Sequence, residues 1–310
     1  MKLPTAKDRV EYAGALVFVA LARLLPLGAA LRLARLLGAV AFDVLGYRRE
    51  VAVANLERHL RGSAAPCSEP GQDRAGGRSA SMAIGRDSVA GFIEGLAEFA
   101  RLPLIDRAHL DRHITLEGRE HLDEALAKGR GAVLVTGHFG SWEVTGCALA
   151  RLGYPIGFLV GVQRNRLIQK MMNDIRRACG IEVHEPQDLL RAVRSLQANR
   201  FVAMLSDQDA GRSGVFIDFL GEPASTPRGP ARLALLAGSP IIPGFTISAG
   251  GGRHRIVLER PIYPPGPPGR PGEDAVRDLT QAYTRVIEAY VRRYPASWLW
   301  THRRWKTRPA

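Results

Sequence analysis

From residue 113 onward the apolar and polar positions alternate between two periods. Short apolar runs, such as Ala-Val-Leu-Val at 132–135 and the runs at 156–160 and 201–205, read as buried strands. Between them lie longer segments in which apolar residues recur every three or four positions, the spacing of a helix with one buried face. Strands are predicted over 114–116, 132–135, 156–160, 181–183, 201–205 and 241–247, with 254–258 as an added edge strand. Helices are predicted over 120–128, from just after Ser141 to 152, and over 167–179, 188–198, 228–237 and 273–293. Strands that alternate with helices imply an α/β fold with a mainly parallel sheet flanked by helices on both faces. The Pro/Gly-rich stretch 261–272 is read as a loop.

The first hundred residues follow another pattern. Residues 10–45 are mostly apolar, but the uncharged run extends only over 12–22, short of the roughly 20 residues that a spanning helix needs. Arg23 and Pro26 interrupt it, and Arg32 and Arg35 then recur on a Leu/Ala-rich helix, a pattern suited to the membrane interface. A pair of buried helices is the alternative; membrane attachment, interfacial or as a weak single span, is preferred. No small-residue cleavage site follows the apolar stretch cleanly, which argues against a signal peptide. Arg48, Arg49 and Arg58 come next and would keep the rest of the chain on the cytoplasmic side. The Gly-, Ser-, Ala- and Pro-rich stretch 62–81 reads as a linker or surface loop, and helical spacing resumes over 88–102. The expected organisation is therefore apolar, membrane-associated helices at 1–61, a linker or loop at 62–85, and an α/β domain at 86–310.

Composition sharpens this picture. Of 310 residues 46% are hydrophobic and 24% charged, enough for a large packed core and against global disorder. The formal charge of +13 points to an anionic partner: an anionic membrane, an acidic protein or nucleic acid. No nucleic-acid-binding motif is present, so nucleic acid is not expected as a partner. The three cysteines, Cys67, Cys147 and Cys179, form neither a disulfide framework nor a zinc pattern and fit a reducing compartment.

Candidate chemistry collects where predicted strands end. The segment Gly137-His138-Phe139-Gly140-Ser141-Trp142-Glu143 follows the strand at 132–135 and opens a helix, the position at which open α/β sheets place ligands. His138 and Glu143, five positions apart, suit a general base and its orienting carboxylate. The bland alternative makes Glu143 a residue that favours its helix N-terminus. Ser206-Asp207-Gln208-Asp209 follows the strand at 201–205 and can share that crevice, or be turn chemistry alone. Arg164 follows the strand at 156–160 and is the candidate donor to a developing oxyanion, or one more solvated Arg on a face that carries nine basic and four acidic residues over 151–200. Ser225, Thr226 and Arg228 lie in a turn that leads into a helix N-terminus, where anions bind. Phosphate-loop and dinucleotide fingerprints, a Gly-x-Ser-x-Gly elbow and metal-ligand spacings are missing from the sequence, so neither a metal nor a cofactor is expected.

In order along the chain, the segment 137–143, Asp207-Gln208-Asp209 with Gly211, Val215-Phe216-Ile217-Asp218-Phe219-Leu220-Gly221, Ala224-Ser225-Thr226-Pro227 and the closing Trp300-Thr301-His302-Arg303-Arg304-Trp305 resemble the lipid A biosynthesis lauroyl/myristoyl acyltransferase family. The resemblance covers nearly the whole chain. It implies a glycerolipid-acyltransferase-like αβα fold and transfer of a fatty acyl group from an acyl carrier protein or acyl-CoA thioester to a lipid hydroxyl. A lipid A precursor is the leading acceptor; another glycolipid or phospholipid is the alternative. Two readings compete with acyl transfer: a membrane-associated thioesterase or lipase, and, behind it, a non-catalytic membrane-binding module. The resemblance further implies His138 as base and Glu143 as its orienter, with Asp207, Gln208, Asp209, Ser225, Thr226, Arg228 and Arg164 as binding or oxyanion candidates. It also implies an anionic lipid acceptor and a place on the cytoplasmic face of the cell inner membrane. Ser141 stands where the family often has Asn, and the stretch 62–81 departs from the family's more helical segment.

Overall fold

The computed structural model describes residues 4–60, 77–185 and 188–309. Most of the expected linker, with Cys67, lies outside the described residues.

Four helices precede the sheet: α1 (Ala6–Leu24), α2 (Leu27–Asp43), α3 (Arg49–His59) and α4 (Arg78–Arg101). Thr5 and Asp8 form a capping box that starts α1. Pro26, which cannot donate to a preceding turn, separates α1 from α2. Helix α4 begins at Arg78, ten residues before the spacing predicted, inside the expected linker. It packs along α2 so closely that a Cβ on Gly38 would lie 2.5 Å from the Cα of Ala90. Among the described residues no helix is long and apolar enough to cross a membrane, so the weak single span is not found.

The α/β unit begins with α5 (Arg107–His113), which the spacing did not predict, and continues β1 (Ile114–Glu117), α6 (Arg119–Ala127), β2 (Ala132–Thr136), α7 (Trp142–Arg151), β3 (Ile156–Leu159), α8 (Arg166–Ala178), β4 (Glu182–His184), α9 (Leu189–Gln197) and β5 (Phe201–Leu205). A hairpin, β6 (Val215–Phe219) and β7 (Glu222–Thr226), comes next, then α10 (Gly229–Ala237), β8 (Ile241–Ser248), β9 (His254–Leu258) and α11 (Glu273–Arg293). The seven-stranded sheet has the order β1-β9-β8-β2-β5-β3-β4. Five neighbouring strands, β8 to β4, run parallel; β9 pairs antiparallel with β8 and parallel with β1. Strand β9 is therefore internal rather than the expected edge, because β1 covers its outer side.

Alternate residues of the central strands face opposite cores. Val133 and Val135 of β2 pack with residues of α10 and α11, whereas Ala132 and Leu134 pack with residues of α7. Complete burial of a Val or Leu side chain contributes about 1.5–3 kcal/mol. The hairpin turn is made by Leu220 and Gly221, both with positive φ (56° and 84°), as a two-residue turn between twisted strands requires. The C-terminal residues are core: Trp298, Trp300 and Arg304 are almost fully buried.

Candidate active site

Strands β2 and β5 are adjacent and parallel, with Thr136 opposite Leu205. Their carboxyl ends thus release His138 and Asp207 side by side. Nδ1 of His138 is 2.8 Å from Oδ1 of Asp207. Oδ2 of Asp207 accepts from the backbone N–H of His138 (2.6 Å) and from the indole of Trp298 (2.7 Å). Gly137 permits this approach, since a Cβ there would fall 2.8 Å from Oδ2. Burial pushes Asp207 up, but the charge and hydrogen bonds of His138 and the bond from Trp298 outweigh it and hold the carboxyl below its ordinary value. Because the carboxylate only accepts, Nδ1 carries the proton and Nε2 presents a lone pair. Gln208 Nε2 lies 3.2 Å from that atom. The edge of Trp142 completes the cage, 5.0 Å from the imidazole between ring centres.

Glu143 does not orient His138. Its carboxylate is held by Arg176 of α8, with contacts of 2.5, 3.1 and 3.2 Å, and Asn173 accepts from the same guanidinium. Both partners are buried. The reason is geometric: Glu143 begins α7 and reaches across to α8, while the imidazole is turned toward β5. The charged atoms of this pair satisfy each other in a wall that is otherwise mostly apolar.

Arg164 is also not where the oxyanion role needs it. It is largely exposed and pairs with Glu11 of α1 at 3.6 Å. Asp209 clamps the C-terminal segment, accepting from the backbone and hydroxyl of Thr307 at 3.2 and 2.9 Å. Ser225 donates to Gly211 O at 2.6 Å, Arg304 bonds Ser225 O and Thr226 Oγ1, and Arg228 pairs with Glu273. These residues hold the hairpin and the C-terminal segment in place; of the candidates, only His138, Asp207 and Gln208 converge. Arg176 and Trp298 carry no motif that would single them out in the sequence.

His138 stands between two hollows. One is a cavity of about 390 Å³ between the sheet and helices α7 and α8, walled by Leu134, Ile156, Phe158, Met172 and Ala203 among others. Glu143, Arg176, Asp207 and Gln208 reach its lining as well. The other is a recess of about 160 Å³ between α4, α2 and the 138–142 turn, lined by charged, aromatic and small side chains together.

A mainly parallel sheet with this histidine at its rim, beside an apolar cavity, fits an α/β acyltransferase of the glycolipid type, and the comparisons with known proteins agree. It belongs to the bacterial lipid A biosynthesis acyltransferase family, whose model matches residues 5–307. It is 29% identical over 227 residues, 71% of each chain, to a phosphatidylinositol mannoside acyltransferase of Mycolicibacterium smegmatis. It is 36% identical over 156 residues to the Mycobacterium tuberculosis protein of that name, spanning about half of its length (48%). With the lipid A biosynthesis lauroyltransferase of Escherichia coli it shares 30% identity over 199 residues, 62% of this chain and 61% of the other.

Proposed function

We propose that this acyltransferase moves a fatty acyl chain from a carrier thioester, acyl carrier protein or acyl-CoA, to a hydroxyl of a membrane glycolipid. The observation that carries the reading is the placement of His138: Nδ1 is fixed by the buried Asp207, and the ring borders both the apolar cavity and the recess that holds Asp87, Glu94 and Arg35. The acyl chain fits the cavity by its chemistry, and the acceptor hydroxyl takes the place beside Nε2 that Gln208 now occupies. Nε2 accepts the hydroxyl proton as the oxygen bonds to the thioester carbonyl carbon. The C–S bond then breaks, and the imidazolium returns the proton to the departing thiolate. Asp207 is the positioning residue: it fixes the tautomer and stabilises the charged ring. General-base assistance of this kind is worth roughly 10²–10⁴ in rate.

Attachment to the cytoplasmic face of a membrane belongs to the same reading. Val10, Val17, Leu21 and Leu24 make an exposed apolar stripe on α1, and Leu33, Leu36, Leu37 and Val40 another on α2. Such stripes suit helices that lie in an interface. Both a lipid A precursor and a mannoside lipid are acceptors compatible with the relatives' names.

The test is mass spectrometry of lipids after incubation of the purified protein with an acyl-carrier thioester and each acceptor, beside His138→Ala. An added acyl mass made by the wild type alone supports the proposal. Free fatty acid as the sole product would make the protein a hydrolase, and full activity in His138→Ala would remove the histidine from the reaction.

A further inference from the structure

The recess on the far side of His138 has a charge opposite to that of the chain. Among the described residues that line it, Asp87, Glu94 and Glu98 carry carboxylates, and Arg35 is the single guanidinium. Arg35 is shared, at 2.8 Å from Asp87 and 3.4 Å from Glu94. Glu98 is buried and bonded to Nε2 of His254 at 2.6 Å. The surplus of basic residues, +13 over the whole chain, is therefore absent from the place where an acceptor would meet the base.

Two further observations mark the recess as a binding site. The hydroxyl of Ser141 and Nδ1 of His254 belong to residues only 6% and 5% exposed, both residues line the recess, and among the described residues neither atom has a hydrogen-bond partner. Unpartnered buried polar atoms cost stability unless something satisfies them. On the α4 side Gly91 leaves the wall open, since a Cβ there would meet nothing within 4 Å. Phe92 and Trp142, with ring centres 6.2 Å apart, add an aromatic wall next to the imidazole.

Carboxylates with free lone pairs accept hydrogen bonds and give none. A hydroxyl donates to them; a phosphate monoester offers only further negative charge, which a single shared arginine does not offset. A sugar ring also presents a C–H face that packs on aromatic rings. We infer that the recess is the acceptor subsite and takes an uncharged, hydroxyl-rich sugar ring in preference to a phosphorylated one. This rests on the acyl-transfer reading for the reacting hydroxyl, which lies beside Nε2 while its neighbours bond Glu94, Asp87 and Ser141.

The experiment uses the full chain in mixed micelles with one acyl thioester donor and two acceptors, a mannosyl diacylglycerol and a bis-phosphorylated diglucosamine lipid. The wild type is expected to favour the mannosyl lipid at least tenfold in kcat/KM. Glu94→Gln and Asp87→Asn should each reduce that preference at least threefold, through KM for the mannosyl lipid, a change of ratio that mere loss of folded protein does not produce. Equal or better use of the phosphorylated acceptor overturns the proposal, as does a ratio unmoved in both variants. Calorimetric titration of the wild type with octyl mannoside and octyl phosphate supplies a readout independent of chemistry. Mannoside-selective binding without any thiol release from the donor would sink the acyl-transfer reading and leave the sugar subsite standing. Acylated lipid formed with no mannoside selectivity in either assay would do the reverse.

Discussion

Asp207 grips His138 twice: Oδ1 lies 2.8 Å from Nδ1 of the ring, and Oδ2 accepts the backbone N–H of the same residue at 2.6 Å. The indole of Trp298 adds a third bond to Oδ2 at 2.7 Å. One carboxylate thus sets the ring's tautomer, its rotation and the path of the chain that carries it. The same contacts tie the C-terminal segment to the sheet rim.

Asp207→Asn should therefore lower kcat by roughly 10²–10⁴, the range over which general-base positioning acts. The amide offers a donor where the ring needs an acceptor, which favours the wrong tautomer. Turnover of the thioester with glycolipid acceptor measures this. Near wild-type kcat in a folded Asp207→Asn protein would show that the imidazole works without its partner.

Glu143 and Arg176 make a different prediction, about stability. Each is the buried charge partner of the other, and removal of one leaves an uncompensated charge at a cost of about 3–5 kcal/mol. Glu143→Gln and Arg176→Met should each lower the unfolding free energy by about that amount. The double variant Glu143→Leu/Arg176→Met should regain most of it, because both charges leave together. Denaturant midpoints decide the matter; additive losses in the double variant would show that the two residues act separately.

These two relationships explain what was legible in the sequence. The runs at 132–136 and 201–205 announce strands, and a site at their carboxyl ends follows from the α/β pattern, so His138 and Asp207 were both within view. Strand order was not. Nothing in a linear pattern places β5 beside β2, and only that adjacency makes Asp207, rather than the nearer Glu143, the partner of His138. Arg176 lies 33 residues from Glu143 and Trp298 lies 91 from Asp207, so their pairing is a product of packing alone. Strand β9 was misplaced for the same reason, since β1, its outer neighbour, comes from the far end of the domain's sequence. The hairpin went unpredicted although Leu220-Gly221 supplies its turn, because each strand has only five residues and β7 does not alternate between buried and exposed positions.

Acid should destabilise the protein in two stages. Burial pushes His59 and His184 below their ordinary 6.5, against the pull of Glu222 and Glu182. The unfolded chain then binds more protons than the folded one below about pH 6.5, so this stability is present above that value and is lost as pH falls toward the lower folded values. Asp207, held below its ordinary 3.8, contributes stability above that value which disappears only as pH falls through its folded value. Urea midpoints from pH 8 to pH 3 should show a first decline beginning near 6.5 and a second below 4. His59→Phe, which keeps a ring stacked on Trp305 at 3.6 Å, should shrink the first decline; an unchanged slope would assign it to other groups.

The apolar stripes on α1 and α2 give the last prediction. Leu36 and Val40 lie one turn apart on α2, 60% and 38% exposed. Full burial of one such side chain is worth about 1.5–3 kcal/mol, and these would be only partly immersed. Leu36→Asp/Val40→Asp should therefore weaken partition into anionic vesicles about tenfold, the effect of roughly 1.4 kcal/mol. The change lies on a solvent-facing stripe and leaves the contact of Gly38 with Ala90 in place, so the helical signal and melting point should stay near those of the wild type. Arg32 remains to attract anionic headgroups, which is why the comparison must be repeated at high salt, where screening removes its share. Vesicle flotation of both proteins in low and high salt reads the two contributions separately. Undiminished flotation of the variant under both conditions would place membrane contact on another surface of the chain.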